Sequence, residues 1–247
     1  ARVRLSGGAV MDLEPDTVTL PAAGLGMGVA GAVAAPPAWY GKLSMLGDFA
    51  QRRLPQEVAQ ACDQWLAATM HALPQVLGER WPWAYLEAPL LRFACGPGVL
   101  SAHWWFGVLM PSCDKVGRYF PLWVGQGTTQ PPRDAMGLAG LVAWYEALAR
   151  AAVRTLEDGA TVAGFEAELF AMPPWPAVAG QPPAAQALPE ALASLAADAL
   201  VGRLQACSLW WPATRQPARP VHLRLAQGLP GAETLAQLLL AEQPAGR

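Results

Sequence analysis

The run from Met110 to Pro121, MPSCDKVGRYFP, sets a cysteine, an acid and two bases between an apolar stretch and an aromatic pair. Cys113 could act as a thiol nucleophile if its thiolate were stabilised, and His103, ten residues upstream, is a base that a neighbouring strand could bring to it. Such a pair would serve a thiol-dependent hydrolase or transferase. No cysteine-protease signature surrounds Cys113, and a thiol at a strand end commonly behaves as a small hydrophobe. The serine route is poorer still, because the chain contains no GxSxG elbow. Glu166 and Glu168 lie two apart, which turns their carboxylates away from each other on a helix, so they read as a solvated face.

Without a nucleophile the same run still has chemistry, as a turn. Asp114 can accept backbone N–H bonds in an Asx turn, and Gly117 can supply a positive φ. Arg118 then stands where its planar fork suits either Asp114 or a carboxylate elsewhere.

The elements that would hold this turn follow from periodicity. WYGKL at 39–43 reads as a short edge strand, with a Gly-Asp turn at Gly47 and Asp48. Pro55 suits a first helical turn. Val58, Cys62, Trp65, Leu66, Thr69, Met70 and Leu73 recur at spacings of three and four, which predicts an amphipathic helix that Pro74 ends or kinks. Residues 90–125 read as successive strands, LLRFAC, HWWFGVLM and YFPLWVG, whose short connections require antiparallel pairing. Adjacent indoles, Trp104 with Trp105 and Trp210 with Trp211, must then point to opposite faces, one into a core and the other under a helix or toward a partner. Leu138, Leu141, Val142, Tyr145, Leu148, Ala152, Val153 and Leu156 mark a long helix that covers one face. Five prolines within 172–188 interrupt regular structure and separate a smaller carboxyl-terminal portion. In that portion a helix near 189–203, strands in CSLWW and VHLRLA, and a helix from about Ala232 to Glu242 are expected. The fold class is α/β of the α+β kind: a largely antiparallel central sheet flanked by helices, sandwich-like.

Residues 1–38 differ in kind and read as a flexible Gly/Ala/Pro-rich leader. Gly26, Gly28 and Gly31 spell a GxGxxG with Asp48 downstream, yet two prolines follow within a few residues and leave no room for the helix that must face a pyrophosphate. Ala32-Val33-Ala34 imitates a signal-peptide cleavage site, but Asp12, Glu14 and Asp16 stand where such a peptide needs positive charge.

Composition bounds the partners. Seventeen bases against nineteen acids give a net charge of −2, without the basic footprint of a nucleic-acid binder. The 53% apolar fraction is that of a globular chain, and no continuous apolar run reaches membrane-spanning length. Four scattered cysteines without a CxxC pair fit reduced thiols, and the three histidines lack metal-ligand spacing, so neither metal nor cofactor is expected.

Four blocks carry a further signal in their order and spacing: WYGKLSMLGDFAQRRLP at 39–55, WLAATM at 65–70, LLRFACGPG at 90–98 and GVLMPSCDKVGRYFPL at 107–122. Together they resemble the TagF family, also called ImpM, of type VI secretion-associated proteins. The resemblance continues more weakly through SLWW at 208–211 and GLP at 228–230. It implies a cytoplasmic, non-enzymatic accessory protein, recruited to the membrane-associated apparatus, that represses secretion after translation; the alternative is a structural assembly subunit of the apparatus. The implied partner is the forkhead-associated-domain scaffold protein of the system. Some relatives are fused to a PP2C-type phosphatase, so here any phosphatase is expected to be a separate protein. The family tends to carry an aliphatic residue where Cys113 stands and a proline where Ser44 stands, which argues against a shared reaction at Cys113. Charged loop residues within the matching blocks are the candidate partner contacts: Lys42, Asp48, Arg52, Arg53, Asp114, Lys115 and Arg118. Gly41, Gly47, Pro111 and Gly117 are the expected structural turn positions.

Overall fold

The computed structural model describes residues 18–19, 35–173, 201–213 and 223–241. Eight strands form one sheet: β1 (Val18–Thr19), β2 (Ala38–Gly41), β3 (Ala50–Arg52), β4 (Leu91–Cys95), β5 (Trp104–Met110), β6 (Leu122–Thr128), β7 (Cys207–Pro212) and β8 (Arg224–Gln227). Their order is β1-β3-β2-β6-β5-β4-β7-β8. Seven strands pair antiparallel, and only the two-residue β1 runs parallel to its neighbour β3. One expectation changes here. WYGKL contributes to β2, which is an interior strand between β3 and β6 rather than an edge. Val18 and Thr19, within the tract read as a flexible leader, pair with Ala50 and Gln51 at the sheet margin.

Helices cover both faces. On one side lie α1 (Gln56–Leu77) and the short α2 (Trp81–Leu86), joined by the terminal helix α5 (Ala232–Leu239). On the other lie α3 (Ala135–Arg154) and α4 (Val162–Phe170). With both faces covered, every residue of β5 is buried, so the strand reads as a continuous apolar run. Its side chains still alternate: Trp104, Phe106, Val108 and Met110 enter the core beneath α3, while Trp105 and Leu109 enter the core beneath α1. The indole pairs divide as their strand period requires, with Trp210 in the α1-side core and Trp211 against the α3-side core. Gly107 keeps the two layers in register, because a Cβ there would meet the Phe93 ring at 2.5 Å and the Val124 carbonyl at 2.1 Å.

Helix α1 buries the predicted stripe of Val58, Cys62, Leu66, Thr69 and Leu73. Pro74 does not end it. The helix runs three residues further and stops at Gly78, whose φ of 56° leaves the helical region and whose N–H donates to the Pro74 carbonyl. The expected stripe is only partly covered: within α3 Leu141, Tyr145 and Leu148 are buried with Trp144, whereas Leu138, Val142 and Val153, and Leu156 in the turn just beyond the helix, remain exposed. Residues 189–200 of the expected helix and most of the Pro-rich 172–188 lie outside the described residues, while residues 201–203 are helical. The carboxyl-terminal portion completes the same sheet through β7, which pairs with β4, and its Leu235, Leu238 and Leu239 close the core beneath α1.

Candidate functional site

The hairpin after β5 packs on the loop after β2, and Asp114 is the joint. Its side chain is fully buried and receives four donors. Oδ1 accepts the N–H groups of Val116 at 3.1 Å and Arg118 at 2.9 Å; Oδ2 accepts Lys42 Nζ at 2.9 Å and Arg118 Nε at 2.6 Å. The Asx turn expected from the sequence is therefore formed, with Gly117 at φ 81°. Burial alone would raise the Asp114 pKa, but these N–H groups and the two cations together hold its carboxyl well below the ordinary range.

The two loops are laced by further bonds. Arg118 Nη2 donates to the Gly47 carbonyl at 2.6 Å, and the Lys115 N–H donates to the Leu46 carbonyl at 3.0 Å. Ser112 Oγ donates to the Lys42 carbonyl at 2.8 Å. Tyr85 accepts the Ser112 N–H and donates back to the Ser112 carbonyl, which ties the hairpin base to α2. Ser44 Oγ donates to the Thr155 carbonyl, anchoring the first loop to the end of α3. The Lys42 ammonium also lies 4.8 Å from the Phe49 ring centroid, and Phe49 meets Phe120 edge to face at 4.6 Å.

This geometry sorts the sequence candidates. Lys42 and Asp114 turn their charges inward on each other, with the Lys42 side chain 6% exposed, so they set the shape of the loops rather than offer contacts. Asp48, Lys115 and Arg118 are exposed on the outer surface of the same joint, Arg118 by 58% of its side chain. Asp48 itself accepts the Phe49 N–H at 2.8 Å. Gly41 is obligatory: φ is 133° and a Cβ would meet the Pro121 carbonyl at 2.2 Å. Gly47 lies against the Lys115 stem, and Pro111 leads from β5 into the hairpin.

Arg52 and Arg53 belong to a second cluster, on the far side of β2, that sequence reasoning missed. Glu166, expected on a solvated face, is buried. Arg53 binds it in bidentate fashion at 2.6 and 2.9 Å, Arg52 at 3.0 Å, and Trp39 Nε1 donates to it at 2.6 Å. Burial raises the Glu166 pKa, yet Arg53 and Trp39 outweigh it and the net shift is downward. Arg53 adopts φ 58°, rare for a side-chain-bearing residue, and its Nε and Nη2 also donate to the Pro37 carbonyl. The available signal was that Glu166 shares the helical stripe of Val162 and Leu169, an acid on an apolar face. The partner of such an acid must be a cation, and two stood in QRR at 51–53.

The thiol and the histidine do not meet. His103 precedes β5 and Cys113 follows it, so seven strand residues, roughly 23 Å, lie between them. Cys113 instead pairs its backbone with Tyr119 across the hairpin. Cys113→Ala should leave the melting temperature within about 1–2 °C of the parent and leave partner binding unchanged, as for a partly exposed, unbonded side chain. Loss of function in that variant, measured by thermal melting and pull-down, would restore a chemical role for the thiol. Among the described residues no three His, Cys, Asp or Glu side chains converge as a metal site, and no helix is long and apolar enough to cross a membrane.

The family described as the TagF N-terminal domain, type VI secretion system-associated, matches residues 38–172. That span contains both polar clusters. The crystal structure of PA0076 from Pseudomonas aeruginosa PAO1 is similar with a TM-score of 0.65 and 35% identity, over 85% of this chain and 97% of that one. No curated protein matches the sequence.

Proposed function

Since the chain belongs to the TagF N-terminal domain family, and is thereby an accessory protein of type VI secretion, we propose that it is a non-enzymatic repressor that acts after translation by binding the system's forkhead-associated-domain scaffold. The observation that carries this reading is the pre-formed joint around Asp114 inside the matched region. A buried carboxylate holds one guanidinium in place, and three charged side chains, Asp48, Lys115 and Arg118, stand outside on a backbone that is already ordered. Such a surface loses little conformational freedom on association, which favours recognition. Nothing in the joint is arranged for bond breaking: its polar groups satisfy one another. The working place implied is the cytoplasmic side, with recruitment to the apparatus through the scaffold.

Calorimetry with the purified cognate scaffold tests the proposal. Lys115→Glu and Arg118→Ala should each weaken binding about tenfold or more, as for a contact residue costing over 1 kcal/mol. Lys115 is the cleaner probe, because only its backbone N–H bonds to the opposite loop, and its melting temperature should not move. Absence of any complex with the parent protein, or wild-type affinity in both variants, would remove this surface from the function.

A further inference from the structure

The tip of the hairpin after β5 carries a side chain that the fold itself does not use. The Gly117 N–H donates to the Asp114 carbonyl at 2.9 Å and the Asp114 N–H to the Arg118 carbonyl at 3.2 Å. Lys115 and Val116 are therefore the two corner residues of a tight turn, which Gly117 closes at φ 81°. Val116 is 66% exposed and belongs to neither core. Turn corners favour Asn, Asp, Ser and Gly, whereas a β-branched residue suits a strand. A single exposed apolar residue is ordinary, but this one breaks the local rule of its position with no packing in return, as residues kept for function do.

Its surroundings are cationic. A Cβ on Gly47 would meet Lys115 Cε at 2.9 Å and Nζ at 3.5 Å, and the Gly47 carbonyl accepts Arg118 Nη2, so both side chains lie over one residue of the facing loop. Lys115 has no ion-pair partner among the described residues, and Arg118 shares the single carboxylate of Asp114 with Lys42. The exposed acid of that loop, Asp48, accepts the Phe49 N–H and pairs with neither cation among the described residues. On a chain of net charge −2 this surplus is a local feature, and it flanks Val116 in the turn. Asp114 Oδ1 holds the N–H groups of Val116 and Arg118, so all three side chains are presented on backbone that is already fixed.

We propose that Val116 is the anchor of the partner contact and that the surface it enters is an apolar pocket rimmed by carboxylates, with Lys115 and Arg118 pairing to that rim. This rests on the reading of the joint as the partner-binding surface, and adds to it the central side chain and the sign of the charge opposite. A desolvated apolar centre within a charged rim is the arrangement that concentrates binding energy on few residues. The valine supplies the lasting contact and the cations supply approach and register, since rim charges act mainly on encounter.

The test is calorimetry of the full chain with the purified cognate scaffold, at about 50 mM and about 500 mM salt. Val116→Asp suits a turn corner, so its melting temperature should stay within about 2 °C of the parent, yet it sets a charge against the pocket and its rim. Its affinity should fall by about thirtyfold or more, whereas Val116→Leu should stay within about threefold of the parent. The parent's affinity should drop by about fivefold or more between the two salt concentrations, and Lys115→Gln should flatten that dependence. Phosphatase treatment of the scaffold should change nothing, because the rim is carboxylate; loss of binding on that treatment would overturn the proposal. A complex that Val116→Asp leaves at parental affinity, or one indifferent to salt, would overturn it while the joint remained the binding surface. Absence of any complex with the parent would remove it together with the reading on which it rests.

Discussion

Asp114→Ala should destabilise the protein by about 3–5 kcal/mol, the range for removing one partner of a buried ion pair. Among the described residues the carboxylate is the only anion paired with the Lys42 ammonium, and its loss leaves that charge buried against Phe49 with no counterion there. The N–H groups of Val116 and Arg118 lose their acceptor at the same time. For a domain of about 200 residues this corresponds to a fall in melting temperature of roughly 6–20 °C. The comparison that gives the number meaning is the double variant Lys42→Met with Asp114→Ala. Removing both charges should recover much of the loss, because the penalty arises from the uncompensated ammonium. The acid limb supplies a second readout. The Asp114 pKa is depressed in the folded protein, so the stability it contributes is present above the ordinary carboxylate range, near pH 4, and is lost as pH falls toward the folded value. Between about pH 4 and pH 2 the parent should therefore lose stability more steeply than Asp114→Ala does. A loss below about 1 kcal/mol in the single variant would show that the pair is worth no more than a surface one.

How much of this was legible beforehand depended on the range of the interaction involved. Helix α1 and strands β4 to β6 were readable from signals local to each element, a helical apolar period in the first and short continuous apolar runs bounded by turns in the others. The turn at Asp114 was readable for the same reason: an Asx turn and a positive-φ glycine act within four residues. The location of β2 was not, since nothing in WYGKL records that β3 and then β1 will add outside it. Lys42 was identified as a charged loop residue, but its partner lies 72 positions away, and only the fold shows that the pair points inward. Glu166 was misread because its spacing from Glu168 was weighed and its spacing from Val162 and Leu169 was not. Its partners Trp39 and Arg53 are more than a hundred residues distant. The exposed half of the α3 stripe carries the same lesson in reverse: period predicts which residues share a face, not whether the sheet is wide enough to cover them.

Glu166→Ala is the companion experiment at that distant cluster, with an expected cost of about 2–4 kcal/mol. The estimate sits below that for Asp114 because the guanidiniums of Arg52 and Arg53 are 20% and 15% exposed and keep some contact with water. The carboxylate nevertheless satisfies three side chains from two strands and the β3–α1 junction, and it is the main polar tie between α4 and β2. Arg53 makes the effect more than local. Its left-handed backbone, which costs on the order of 1–3 kcal/mol, persists because Glu166 and the Pro37 carbonyl together fix the guanidinium. Without Glu166 one of those two constraints is gone, and the segment from Arg52 into α1 should loosen. Glu166→Gln separates the contributions. Its amide oxygen can still accept from Trp39 while the charge is lost, so its melting temperature should fall between those of the parent and Glu166→Ala. Hydrogen exchange should report faster opening of α4 and of β3 in both variants, with the amides of β5 unaffected, because that strand is held by the sheet on both sides. A melting temperature for Glu166→Ala within about 1–2 °C of the parent, or exchange that rises uniformly across the sheet, would mean that α4 is held by Phe165 and Leu169 alone.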